Sequence, residues 1–306
     1  MSGFFEPAAF ERWKGDRMSG ASALTREAAV LLAGALGRRG AAALPELPAA
    51  LRAMATAHPA FGSLWRLADR VARVHAKAIQ EAAGADETLE RATESTRAFA
   101  ADLSKAEAAL ALRAVELVSP GGLIAVYSRS GAVEATLLEA RRQGLRFRVL
   151  LSEARPGLEG LAMARALGAS GVECVLTADA MLPMLLGRAA VLLLGADAIT
   201  PRGLVHKAGT YPLLLAAREL NVPAHVLAVR AKFLSPAPGT LDLPLHPTEA
   251  LLPGGTPGVE AINAPFEESP FALLRGVMTE SGYLGVTEAP QAAQMAPLHA
   301  SLRGQA

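Results

Sequence analysis

A single cysteine in 306 residues, Cys174, excludes an internal disulfide framework and a thiolate zinc cluster, and it fits a reducing compartment. Strong charge of either sign is missing too. Thirty Lys and Arg against 29 Asp and Glu give a net charge of +1, so no global field recruits nucleic acid or an acidic membrane surface. Specific binding must come from local groups. No apolar run reaches the roughly 20 residues that a membrane span needs. The nearest, "MLPMLLGRAAVLLLGADAI", is interrupted by Pro183, Arg188 and Asp197. The opening "MSGFFEPAAFERWKGDR" mixes charges with apolar residues and is not a secretory signal. A soluble, cytoplasmic protein is expected. G-x-G-x-x-G and G-x-x-x-x-G-K-[ST] are both absent, so neither dinucleotide-dependent oxidoreduction nor P-loop chemistry has a motif to rest on. The six histidines show no metal-ligand spacing, and no metal or cofactor is implied.

What is present is a large apolar fraction, 51%, enough for a sizeable core in one large domain or two ordinary ones. From about residue 20 to 115 apolar residues recur at three- and four-residue spacing, which predicts helices. In "LWRLADRVARVHAKAIQEAA", Leu64, Leu67, Val71, Val74 and Ile79 are expected near one face, and Pro45, Pro48 and Pro59 punctuate the helices. After "VSPGG" the pattern changes to short continuous apolar runs, "LIAVY", "FRVLL", "VECVL", "AVLLL" and "AHVLAV", separated by stretches that suit crossover helices. Continuous runs fit strands covered on both faces. The fold class expected is therefore α/β. A helical N-terminal domain (1–115) precedes a Rossmann-like, doubly wound parallel sheet domain (116–306). Residues 231–306, rich in Pro and Gly, have no role legible from pattern, and the terminal "SLRGQA" is expected to be loose.

Ligands of such sheets bind at the carboxyl ends of the strands, so the loops "YSRSGA", "SEARPGLEG", "TADA" and "GADAITPRGLVHKAGT" should crowd one edge. Ser128, Ser130 and Gly131, with Arg129 beside them, form either a phosphate cradle or an ordinary helix N-cap. Arg155 either grips an oxyanion, or is an exposed arginine or a partner for Glu153, and Glu159 and Gly160 add little. Asp179 is read as the cap of the helix that follows it, and mid-strand Cys174 as a small core residue. Asp197, behind a fully apolar strand, is the strongest candidate for proton transfer, because partial burial raises a carboxyl pKa. The alternative is that Asp197 pairs with Lys207 or caps a turn. Otherwise Lys207 neutralises a phosphate, which Gly209 and Thr210 let the backbone approach; His206 adjoins them.

Taken in order, "DRMSGAS", "VYSRSGAV", "SEARPGLEG", "LTADA", "LLGADAITPRGLVHKAGTYPLLLAAREL", "AVRAKF" and "NAPFEESPFALLRGVMTESG" resemble one family nearly end to end. It joins the alpha, beta and delta regulatory subunits of translation initiation factor 2B, methylthioribose-1-phosphate isomerase and ribose-1,5-bisphosphate isomerase. The resemblance implies homodimers or higher assemblies and a pocket for a phosphorylated sugar or nucleotide. In the isomerases an acid at the position of Asp197 and a cysteine after the first sheet strand are implied to exchange protons. Here Ser128 stands at the cysteine position of a T-x-C-N-S pattern, and a hydroxyl is a far weaker acid than a thiol. Arg129 and His206 stand where asparagines are usual, and Ser19 where an arginine is. Gly20, Ala21, Arg155, Gly160, Asp197, Lys207, Gly209 and Thr210 keep the binding pattern. The reading is a binding protein of the initiation factor 2B type. The alternative is an aldose–ketose isomerase with Asp197 as acid/base and Ser128 or His206 in place of the thiol.

Overall fold

The computed structural model describes residues 3–235 and 243–303. Of the terminal segment expected to be loose, 304–306 lie outside the described residues, whereas 300–302 form a 3₁₀ turn. The helical part comprises α1 (Pro7–Gly15), α2 (Ala21–Arg39), α3 (Leu47–Ala57), α4 (Gly62–Gln80) and α5 (Ala85–Ala114). Proline marks starts here: Pro7 opens α1 and Pro48 sits in the first turn of α3, where a missing N–H is harmless. Along α4 the buried stripe is Leu64, Leu67, Ala68, Val71, His75 and Ala78. Ile79, expected on that face, is 61% exposed, because it lies one residue past Ala78 and hence about 100° around the helix.

The remainder alternates β1 (Leu123–Val126), α6 (Gly131–Arg142), β2 (Arg148–Ser152), α7 (Glu159–Ala169), β3 (Glu173–Thr177), α8 (Leu182–Leu185) and β4 (Val191–Leu194). Next come β5 (Ala198–Ile199), β6 (Leu204–Lys207), α9 (Thr210–Glu219), β7 (Ala224–Leu227), β8 (Phe266–Ser269), β9 (Gly276–Thr279), β10 (Gly282–Gly285) and α10 (Glu288–Gln294). The main sheet has the order β10-β9-β7-β4-β1-β2-β3, parallel except for β10. Successive residues of one strand serve opposite faces. Ile124 and Val126 join one buried cluster, which continues into Leu24 and Leu64 of the helical part; Ala125 joins another with Leu150 and Leu192. Burial on both faces explains why these strands read as unbroken apolar runs.

Three features depart from the expected pattern. The third crossover is a single turn, α8, flanked by 3₁₀ turns, with Pro183 at its start. The stretch after β4 is not a loop but an antiparallel hairpin, β5–β6, extended by β8 into a second sheet. Residues 276–285 supply two strands of the main sheet, β9 and β10. Among the described residues no helix is long and apolar enough to cross a membrane.

The chain reverses its winding between β1 and β4, which are hydrogen-bonded neighbours although β2 and β3 intervene in sequence. At such a switch point the two carboxyl-end loops part and leave a crevice. That crevice holds the candidate site.

Candidate functional site

A cavity of about 800 Å³ opens over the ends of β1 and β4, roofed by the helical part and by residues 244–247. Ser128 to Gly131 form its floor at β1. Tyr127 fixes that loop, because its hydroxyl donates to the Ala208 carbonyl at 2.6 Å, and burial pushes its pKa above the ordinary value. Ser128 is 7% exposed and takes a φ of +62°, a conformation that costs a non-glycine residue about 1 kcal/mol or more. Ser130 caps α6, accepting from the Val133 N–H, and Arg129 is held by Glu134 at 2.9 Å. The cap and the cavity wall are thus the same residues.

Behind β4, Gly195 passes so close to Ser130 that a Cβ there would overlap its hydroxyl. This approach carries Asp197 to the cavity. Its backbone is pinned on both sides: its N–H donates to the Val205 carbonyl, and its own carbonyl accepts from Gly62 at the start of α4, each at 2.9 Å. Burial pushes the Asp197 carboxyl up to about 6, although Lys232 and Lys207 pull it down. A group near that value exchanges protons readily at neutral pH.

Lys207 is buried, and its Nζ donates to both oxygens of Glu159, at 2.8 and 3.0 Å. Glu159, not Asp197, is therefore its direct partner. Lys232 is equally buried, donates to the Ala196 carbonyl at 2.6 Å, and is pushed below its ordinary pKa by burial. His206 Nδ1 lies 2.9 Å from the Thr210 hydroxyl. Burial, with Lys232 and Lys207, lowers the imidazole to about 3.

The cavity brings together Gly20, Ala21, Ser128, Arg129, Ser130, Asp197, His206 and Lys207. Arg155, Gly209 and Thr210 do not line it. The Arg155 guanidinium instead reaches the Ala250 carbonyl at 3.1 Å. Gly209, with φ +100°, is dictated by Tyr127, whose hydroxyl a Cβ would strike. Thr210 is buried behind His206. Gly160 packs α7 on β2, where a Cβ would overlap the Ser152 carbonyl oxygen. Asp179 does not cap the turn after it. Its carboxylate accepts from the N–H groups of Ala154 and Arg155, bracing the preceding loop. Cys174 sits outside the cavity on edge strand β3, half-buried.

Sequence reasoning missed several lining groups. Lys232 lies within the quoted segment "AVRAKF", and a lone lysine between apolar residues was its available signal. Glu159 is in a quoted motif but received no role. Arg17, in the quoted "DRMSGAS", likewise received no role, and Arg26, His58 and Glu107, from the helical part, and His246 carried no signal at all. Arg26 is paired with Glu107 at 2.6 Å. Burial lowers the pKa of both His58 and His246.

Comparison with known proteins bears on this arrangement. The profile of the initiation factor 2 subunit family matches residues 17–285. A translation initiation factor eIF-2B subunit 2-like protein of Pyrococcus horikoshii is 35% identical over 185 residues, 60% of this chain and 65% of that protein. The chain thus spans just under two thirds of that relative's length. A methylthioribose-1-phosphate isomerase of Pelotomaculum thermopropionicum is 30% identical over 261 residues, 78% of this chain and 70% of that protein. In structure, translation initiation factor eIF-2B of Pyrococcus horikoshii OT3 superimposes with a TM-score of 0.79 at 27% identity, covering 90% of this chain and 95% of its own.

Proposed function

Because the chain belongs to the initiation factor 2 subunit family, we propose that it binds a phosphorylated sugar or nucleotide in the cavity over β1 and β4, as an initiation factor 2B-like protein. The observation that carries this reading is the convergence of the buried Lys207 and Lys232, the N-terminus of α6 and the Asp197 carboxyl on one space. Buried lysines attract a phosphate dianion where water competes least, and the first turn of α6 adds unpaired N–H groups. Phosphorylated metabolites suit a pocket that also holds a proton-exchanging carboxyl. The protein is expected to work in the cytoplasm as a homodimer or larger homo-oligomer.

One observation favours a second reading, an aldose-1-phosphate to ketose-1-phosphate isomerase. Asp197 rests near neutrality, where a carboxyl serves as acid in one step and base in the next. Net isomerisation breaks the bond from C1 to the ring oxygen O4, moves the hydrogen of C2 to C1 and carries the O2 proton to O4, while O1 keeps its phosphate; Asp197 would shuttle one of these protons. The partner role falls to Ser128, whose hydroxyl is a weaker acid than a thiol.

Phosphorus NMR separates the two. The protein is incubated with ribose 1,5-bisphosphate and, separately, with methylthioribose 1-phosphate. Saturable binding without ketose, lost in Lys207→Ala, is the expected result. Enzyme-dependent ketose that disappears in Asp197→Asn replaces the binding reading with the isomerase. If neither compound binds, the sugar phosphate reading falls. Native mass spectrometry of freshly purified protein reads the subunit count and any phosphate ester carried along.

A further inference from the structure

His206 is 4% exposed, and one of its ring nitrogens has its proton assigned by its neighbours. The Thr210 hydroxyl lies 2.6 Å from the Lys207 carbonyl oxygen, which can only accept, so the hydroxyl hydrogen is committed there. The same oxygen lies 2.9 Å from His206 Nδ1 and must therefore accept from an Nδ1–H. Reversing the pair would leave the buried Lys207 carbonyl without this donor, at about 1–3 kcal/mol. Imidazole has one proton when neutral, and it is spent on Nδ1. Nε2 is left as a bare lone pair. No side chain or backbone group among the described residues hydrogen-bonds Nε2, and the atom stays open to the cavity.

A second proton on Nε2 would place a buried cation beside Lys207 and Lys232, and these two lysines with burial hold the ring neutral. Nε2 therefore faces the cavity as an acceptor at every physiological pH. An oxygen of a phosphate dianion, itself an acceptor, has nothing to exchange with it. A hydroxyl or an amine N–H does. The asparagine that the family resemblance places here carries a donor and an acceptor on one amide and presents either by rotating; the locked imidazole presents only one.

We propose that His206 is the cavity's acceptor for a ligand hydroxyl, with Thr210 as the positioning residue that fixes its tautomer. The inference rests on the sugar phosphate reading and sharpens it. The phosphate goes to the lysines, and the hydroxylated carbon skeleton goes to His206. Ligands whose only polar group is phosphate, or whose hydroxyl is replaced by hydrogen or a carbonyl, are selected against.

Two measurements test it on the full chain. Long-range proton–nitrogen NMR of the histidine rings, with His206 assigned by its disappearance in His206→Asn, should show protonated Nδ1 and unprotonated Nε2 from pH 5 to 8. In Thr210→Val a mixture of tautomers is expected. Calorimetry then compares ribose 1-phosphate with its 2-deoxy and 3-deoxy forms. At least one deoxy form should bind roughly ten- to a hundredfold more weakly, and that gap should close to within about threefold in both His206→Phe and Thr210→Val. An Nε2–H tautomer in the wild type overturns the inference whatever binds. So does equal affinity for all three compounds with the tautomer as stated. If none of the three binds while Nδ1 carries the proton, the sugar phosphate reading itself fails and the hydroxyl assignment goes with it.

Discussion

Asp197 and His206 share one cavity and titrate in opposite senses. The imidazole falls from 6.5 to about 3 on folding, so as pH drops below 6.5 the unfolded chain takes a proton that the folded protein refuses. Stability then declines by up to about 1.4 kcal/mol per pH unit. The Asp197 carboxyl rises from 3.8 to about 6, so the folded protein takes that proton first and gains stability as pH drops through the same range. Between roughly pH 6 and 4 the two contributions offset each other. Removing the imidazole exposes the other sign: His206→Asn should gain up to about 1.4 kcal/mol per pH unit relative to wild type as pH falls from 6 to 4. Urea unfolding at several pH values checks this, and a pH-independent difference would refute it. Lys232 holds the Asp197 carboxyl down, so Lys232→Met should move its carbon-13 NMR midpoint above about 6; a lower midpoint would contradict the cavity electrostatics. Asp197 was legible in the sequence because an acid directly after an apolar run marks a strand mouth. The Lys207–Glu159 pair was not. Its members stand 48 residues apart, and no spacing rule links a helix start to a hairpin strand.

Where one element meets another, glycine decides how near they can come. Gly160, in the first turn of α7, lies against the Ser152 carbonyl at the end of β2, so Gly160→Ala forces the helix off the sheet. A loss of about 3 kcal/mol or more in unfolding free energy is expected. Gly37, inside α2 with open space around it, is the matched control: Gly37→Ala should stabilise by about 0.5–1 kcal/mol, since only helix propensity changes. Equal effects from the two substitutions would show that close approach is not what Gly160 supplies. The central strands were readable because both their faces are buried, which removes polar residues from the run. The β5–β6 hairpin was not, because Ala198–Ile199 is too short to show alternation and polar residues surround it. Nor was β9, since "GVMT" follows a Pro-rich stretch and is recognisable as a strand only beside β7.

Across the whole molecule, ion pairs tie distant parts of the chain together, two of them through a buried member, Asp69 or Lys207. Asp69 on α4 is 2% exposed, accepts from Arg73, contacts Arg66 at 3.1 Å, and accepts from the His299 N–H at 2.6 Å. Arg73 in turn reaches the Pro297 carbonyl. The segment at 297–299 is thereby fastened to the helical part. Asp69→Asn should raise amide hydrogen exchange at His299 at least about tenfold while β1 and β4 stay protected; unchanged exchange would assign the fastening to packing alone. The cavity repeats this pattern of matched charges. Arg26 is met by Glu107, Arg129 by Glu134 and Lys207 by Glu159, while Lys232 lies close enough to Asp197 to lower its pKa. A phosphate arriving at Lys207 must share it with a carboxylate already bonded through both oxygens. Neutralising that competitor leaves the lysine free and removes one repulsion from the anion. Glu159→Gln should therefore tighten inorganic phosphate binding about tenfold, or 1.4 kcal/mol, and make it more sensitive to salt. Calorimetry at low and high ionic strength measures both effects. If binding weakens instead, Glu159 orients Lys207 for the anion rather than competing with it, and the cavity's internal pairs are then part of how it holds a ligand.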